Sequence, residues 1–276
     1  MEELETLNEF RKINASFPYT EPIRRWKDGG GKVVAWMCSY VPEEIIHAAG
    51  VLPVRLSGGS KKLALDESAA YLGVGTCTFI RHCFELVLTH QFDFMDAFIT
   101  ANTCEGTRHM AEVWAHYCPT PLLGILPVPR KFGKRALGLY HKELVTFKQV
   151  MEGFFGVTIT DEALRKAIQV YDEGRNLVRE LYDLRKAETP PISGAETLEV
   201  LNAGFRMPRE DFNQLLRKLL GEIRQSKRAM RGSVRLMISG SVLNNPEFIS
   251  GIEDLGALVV VDELCSGTRY WYEPVD

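Results

Sequence analysis

The sequence predicts an α/β protein with two parallel-sheet units joined by a helical connector, the second unit incomplete. Three observations carry this. Short apolar runs alternate with helical patterns from Lys32 to about Arg130, helical periodicity takes over from Thr160 to about Gly232, and one strand–helix–strand unit then returns. With 276 residues, 45% of them hydrophobic, the chain can bury a substantial core.

In order along the chain, KVVAWM reads as a buried strand, PEEIIHAAG as the helix that follows and LPVRL as a second strand, which makes a βαβ unit. TFIRHCFELVL reads as a helix, DAFITAN as another buried strand, and a helix runs through RHMAEVWAHY. These belong to an N-terminal α/β domain over residues 1–155. Thr160 is placed to cap a helix over DEALRKAIQVYDEGRNLVRELYDLRK, which Pro190-Pro191 closes. A second long helix starts at Pro208 and runs through EDFNQLLRKLLGEIRQSKRAM, so 156–232 forms the helical connector. VRLMISGS, NPEFISGIEDLG and ALVVVDEL are the strand, helix and strand of a second α/β domain over 233–276. Two strands and a helix cannot bury both faces of a sheet, so this domain is expected to be incomplete. Both sheets are expected to be parallel and flavodoxin-like.

Cys38, Cys77 and Cys104 each stand where a strand or loop gives way to a helix. Unpaired N–H groups at a helix start favour thiolate, and such thiolates suit a soft metal or an iron–sulfur cluster. Ligands in open α/β sheets collect beyond the carboxyl ends of strands, where Cys38 follows KVVAWM and Cys104 follows DAFITAN. Against this stands the ordinary role of cysteine as a small buried residue, which suits Cys83 and Cys118 best. Cys265 follows VVVDEL at a strand end and joins the ligand candidates. Zinc is disfavoured, because paired C-x2-C spacing is absent. Glu43 and Glu44 lie in a first helical turn, where they complement the helix dipole or serve in proton transfer. Arg81 and Arg108 each fall four residues past a motif cysteine and are candidates for anion contacts. His82 and His109 each follow one of those arginines and could donate to a cluster sulfur or a substrate carbonyl. Arg130, Lys131, Lys134 and Arg135 form a basic stretch, either solvated or phosphate-binding.

The words around these residues resemble the family of 2-hydroxyacyl-CoA dehydratase and benzoyl-CoA reductase subunits. The resemblance rests on Cys38-Ser39-Tyr40, Pro42-Glu43-Glu44, Leu52-Pro53-Val54-Arg55, Cys77 with Arg81, Asn102-Thr103-Cys104-Glu105-Gly106 with Arg108, and Leu126-Pro127-Val128-Pro129-Arg130. A weaker echo lies at Asp262-Glu263-Leu264-Cys265 with Gly267 and Arg269, so it spans about Lys32 to Tyr270. It implies a [4Fe–4S] cluster held within the set Cys38, Cys77 and Cys104, with one iron position left for a non-cysteine ligand or substrate; Cys265 is a further metal candidate, and a double-cubane cluster using Cys83 or Cys265 is a variant. Glu43, Glu44 and His109 would serve the chemistry, and Arg81, Arg108 and Arg130 an acyl-CoA thioester. A homologous second subunit and an ATP-dependent iron–sulfur activator are the partners it implies, and family members are longer than this chain. The implied activity is radical electron transfer to an acyl-CoA, as in benzoyl-CoA reductase. The alternatives are ketyl-radical dehydration of a 2-hydroxyacyl-CoA and a non-catalytic electron-carrier or scaffold subunit.

Net charge is −3 and pI about 6.1, so no global basic field points to nucleic acid or an anionic membrane surface. A P-loop is absent, so ATP hydrolysis is expected of a partner. No apolar run has signal-peptide or membrane-spanning character, so the cytoplasm is expected, and there cysteines stay reduced.

Overall fold

The computed structural model describes residues 2–59 and 63–275. Helices α1 (Glu5–Ala15) and α2 (Glu21–Asp28) precede strand β1 (Val33–Met37), helix α3 (Glu43–Ala48) and β2 (Leu52–Arg55). Helices α4 (Asp66–Ala69) and α5 (Thr78–Leu88) lead to β3 (Ala97–Ala101), α6 (Glu105–Tyr117) and β4 (Leu122–Leu126). Helices α7 (Lys134–Phe155), α8 (Asp161–Leu184), α9 (Gly194–Gly204) and α10 (Arg209–Gln225) follow. Then come β5 (Val234–Ser239), α11 (Pro246–Asp254), β6 (Ala257–Glu263) and α12 (Thr268–Trp271).

Every strand and helix expected from the sequence is present, and the fold is α/β with two parallel sheets. Thr160 Oγ1 accepts the Ala163 N–H at 3.1 Å at the start of α8, and Pro208 and Asn245 stand at the N-caps of α10 and α11. Helices α1, α2, α4, α7, α9 and α12 and strand β4 are additional. Their signals are weak for physical reasons. Helix α9 is buried on most sides and shows no amphipathic stripe, although Ser193 and Glu196 form a capping box. Helix α7 buries only Phe147 and Met151 along its 22 residues. In β4, Gly124 breaks a short apolar run with φ 151°.

The described chain forms two compact units. One holds Arg24–Gly58 and the stretch ending at Ile168, with a four-stranded parallel sheet in the order β2-β1-β3-β4. Strands β1, β2 and β3 are wholly buried, as their apolar runs require, and Trp114 of α6 stacks on Phe98 of β3 at 4.2 Å between centroids. At the amino end of the sheet Asp96 accepts hydrogen bonds from Lys27 Nζ (2.8 Å), the Val33 N–H (2.8 Å) and Lys32 Nζ (3.0 Å). From β1 the chain winds first to β2 on one side and then to β3 on the other. The carboxyl ends of β1 and β3 therefore flank the topological switch point, where such folds bind ligands.

The other unit holds the N-terminal residues up to Ile23 and the chain from Gln169 onward. Its sheet is the parallel pair β5-β6, packed on one face by Leu198 and Ile249 against Val259. Trp271 is buried against Phe205 and Phe212, with the Arg209 guanidinium 4.4 Å above its ring. Tyr182 donates to buried Asp262, and Arg185 to the Val259 carbonyl. Val234 and Met237 of β5 are more than half exposed. Among the described residues no helix is long and apolar enough to cross a membrane.

Candidate metal centre

Cys38 directly follows β1 and adopts φ 78°, a left-handed conformation that is costly for a residue with a Cβ. A turn holds it there, with the Val41 N–H donating to the Cys38 carbonyl at 3.1 Å. The Thr103 hydroxyl donates to Cys38 Sγ at 3.1 Å. Since Met37 pairs with Thr100, the two chain exits run side by side, and this bond ties Cys38 to the segment that carries Cys104.

Cys104 is the extended N-cap of α6, and its sulfur accepts the Thr107 N–H at 3.4 Å. Cys77 is the N-cap of α5, exposed and making no side-chain cap bond. The starts of these two helices abut. A Cβ on Gly106 would stand 3.3 Å from Ile80 Cγ1 and 3.6 Å from Thr76 Cγ2, so the absence of a side chain permits the approach. Cys38 and Cys104 thus follow the carboxyl ends of the neighbouring strands β1 and β3, and Cys77 starts the helix that abuts α6.

None of the six cysteines is bridged in a disulfide. Cys83 is fully buried within α5, and burial first, then the nearby Cys77 sulfur, pushes its thiol well above the usual range. Cys118 ends α6, where burial pushes it up to about 11. Both positions suit packing. Cys265 belongs to the other unit, after β6, where Arg269 Nη1 donates to its sulfur at 3.2 Å.

Glu43 and Glu44 are 3% and 7% exposed in the first turn of α3. The Tyr140 hydroxyl of α7 donates to the Tyr40 carbonyl at 2.9 Å, and burial, reinforced by Glu44, Tyr40 and Cys38, pushes the phenol up to about 12. Arg81 lies one turn beyond Cys77, and its Nε is buried without a hydrogen-bond partner among the described residues. Such an orphaned donor suits an anion or an anionic sulfur. Arg55 is 5% exposed at the end of β2, over the Trp36 ring and 3.4 Å from the Ser39 hydroxyl. Arg108 and His109 lie nearer solvent on α6, Arg108 within 3.8 Å of Glu112 and His109 within 3.7 Å of Glu105. Arg130 is exposed after β4, beside the wholly exposed Phe132.

Among the described residues no three His, Cys, Asp or Glu side chains stand close enough to hold a single metal ion. A polynuclear cluster makes a different demand, for thiolates from separate segments that each reach an iron, with N–H donors around the sulfurs. Three free thiols on separate segments, two at helix starts, fit that donor chemistry.

A family model described as 2-hydroxyglutaryl-CoA dehydratase, D-component, matches residues 38–276. The chain belongs to this family. Within the D-component family it is 34% identical over 245 residues to a subunit of benzoyl-CoA reductase from Thauera aromatica, a match covering 87% of this chain and 64% of the Thauera protein. It is 25% identical over 265 residues to the beta subunit of (R)-2-hydroxyglutaryl-CoA dehydratase from Acidaminococcus fermentans, covering 95% and 69%. With the beta subunit of lactoyl-CoA dehydratase from Anaerotignum propionicum it shares 25% over 243 residues, covering 87% and 63%. The D-component match begins at Cys38 and includes Cys77, Cys104 and Cys265. Thr103 and Thr107 were not singled out as site residues from the sequence, although a hydroxyl one and three residues from Cys104 is a signal that could have found them. Nothing in the sequence pointed to Tyr140 or to the burial of Arg55.

Proposed function

We propose that the chain is the iron–sulfur subunit of a benzoyl-CoA-reductase-like enzyme that passes low-potential electrons to an acyl-CoA thioester by radical chemistry. The observation that carries this reading is the placement of Cys38 and Cys104 at the switch point of a parallel sheet, their segments tied by Thr103 at 3.1 Å, with Cys77 on the helix start that abuts α6. The 34% identity to a benzoyl-CoA reductase subunit directs it to that chemistry.

In this reading Cys77 and Cys104, with Cys38, hold a [4Fe–4S] cluster. When bound, the cluster supplies single electrons to the thioester. Arg81 Nε and the buried Arg55 offset the negative charge of the thiolates and of the substrate. Tyr140, facing Glu44 and Cys38, holds a proton close to the site, and Glu43 and Glu44 at the start of α3 are the carboxylates proposed to relay one. His109, Arg108 and Arg130 lie toward solvent, where they suit the phosphates of coenzyme A. A partner subunit is expected from the subunit names of the relatives, and electrons are expected from a separate ATP-dependent activator. Six cysteines without a disulfide suit the reducing cytoplasm.

A second reading is favoured by the family match itself, namely a 2-hydroxyacyl-CoA dehydratase subunit. The stoichiometry of reductant separates the two, because ring reduction consumes electrons in proportion to product and dehydration returns its electron.

The first test is iron and acid-labile sulfide per chain in protein prepared without oxygen. About four irons per chain are expected, with most lost in Cys104→Ala. Wild-type protein with no more iron than the variant overturns the cluster reading.

A further inference from the structure

The Cys104 sulfur sits where an N-cap oxygen normally accepts the N–H of the third helical residue, and Thr107 N lies 3.4 Å from it. The Thr107 hydroxyl lies 3.2 Å from the same sulfur and 2.9 Å from the Cys104 carbonyl oxygen. As a neutral thiol Cys104 can donate its S–H to Thr107 Oγ1, which leaves the hydroxyl proton to the carbonyl. As a metal-bound thiolate it has no proton and only accepts, and an anionic acceptor outcompetes a neutral carbonyl. Thr107 is 4% exposed, so bulk water does not readily replace this bond. Cys77, the corresponding N-cap of α5, makes no such bond.

We propose that the Thr107 hydroxyl is a donor to the Cys104 sulfur in the metal-loaded protein and raises the reduction potential of the cluster held there. The inference rests on the cluster reading above. A hydrogen bond to a ligand sulfur stabilises the more negative, reduced state. Thr107 is therefore a positioning residue that acts through Cys104.

The test compares Thr107→Val, which keeps the shape and removes the hydroxyl, with Thr107→Ser, which keeps the hydroxyl and removes the methyl. Both are loaded with iron and sulfide without oxygen and titrated electrochemically, with the reduced form followed by EPR. At the wild-type midpoint the reduced-to-oxidised ratio of T107V is expected to fall about tenfold, or 59 mV for a one-electron couple. T107S is expected to titrate with wild type. A structural role gives the opposite order, because serine leaves a hole where the methyl packed. That order, or a T107V midpoint equal to wild type, overturns the proposal. Thr107→Ala is titrated alongside and is expected to share the T107V shift. Failure of T107V to load while T107S loads also supports the hydroxyl role. Iron content separates the two claims: a wild-type chain that takes up no iron overturns the cluster reading and this inference together, whereas loaded wild type with unmoved variants overturns this inference alone.

Discussion

Cys77 and Cys104 are exposed at helix starts, Cys38, Cys118 and Cys265 are half-buried, and Cys83 is sealed inside α5. Thiolate is the reactive form, so a thiol held at about 11 has little of it at pH 8. Alkylation of metal-free protein at that pH is expected to label Cys77 and Cys104 first, Cys118 much later, and Cys83 only after unfolding. Peptide mass spectrometry reads the order directly, and early labelling of Cys118 would contradict the burial described above. Gly106 gives a second expectation at this scale. A branched side chain there meets Ile80, and Gly106→Val should cost about 1–3 kcal/mol and reduce iron retention, measured by thermal melts and metal analysis. The places of Cys38, Cys77 and Cys104 at element junctions could be read from the sequence because a strand end or helix start is a local signal. Tyr140 could not, since its contact with Tyr40 joins residues 100 apart in the chain.

Among the elements, β1 and β3 owe their positions to apolar runs and to one charged residue at their amino end. Burial alone would push the Asp96 carboxyl up. The bonds from Lys27, Val33 and Lys32 reverse that and hold it below its usual value. A carboxyl lowered in the folded state contributes stability that is complete above its unfolded value of about 3.9 and is lost as the pH falls through the folded value. Asp96→Asn is therefore expected to destabilise the protein by about 1–3 kcal/mol at pH 7. The gap to wild type should close below about pH 4, a course that denaturant melts across pH can follow. The same chemistry explains which elements the sequence revealed. Buried parallel strands announce themselves as continuous Val, Ile and Ala, whereas α7 has only two buried residues along its length and leaves little periodic trace.

For the whole molecule, the sequence carried the α/β class but not the strand order, because β2-β1-β3-β4 follows from pairings between distant segments. The two sheets differ in how well they are covered. Hydrogen exchange is expected to be slowest at β1 and β3, flanked on both sides and buried, and much faster at β5, which among the described residues pairs with β6 alone and leaves Val234 and Met237 open. Mass spectrometry of exchanged peptides checks this, and equal protection of β5 and β1 would count against the description.

The pairing of β1 with β3 has a last consequence. Neighbouring strands lie about 4.8 Å apart, a spacing set by backbone hydrogen bonds and indifferent to side-chain identity. The roots of the segments that carry Cys38 and Cys104 are therefore separated by a repeat distance of the backbone itself. Sequence drift in the surrounding core can soften or stiffen the protein, but it cannot easily stretch the gauge on which these two thiols are mounted.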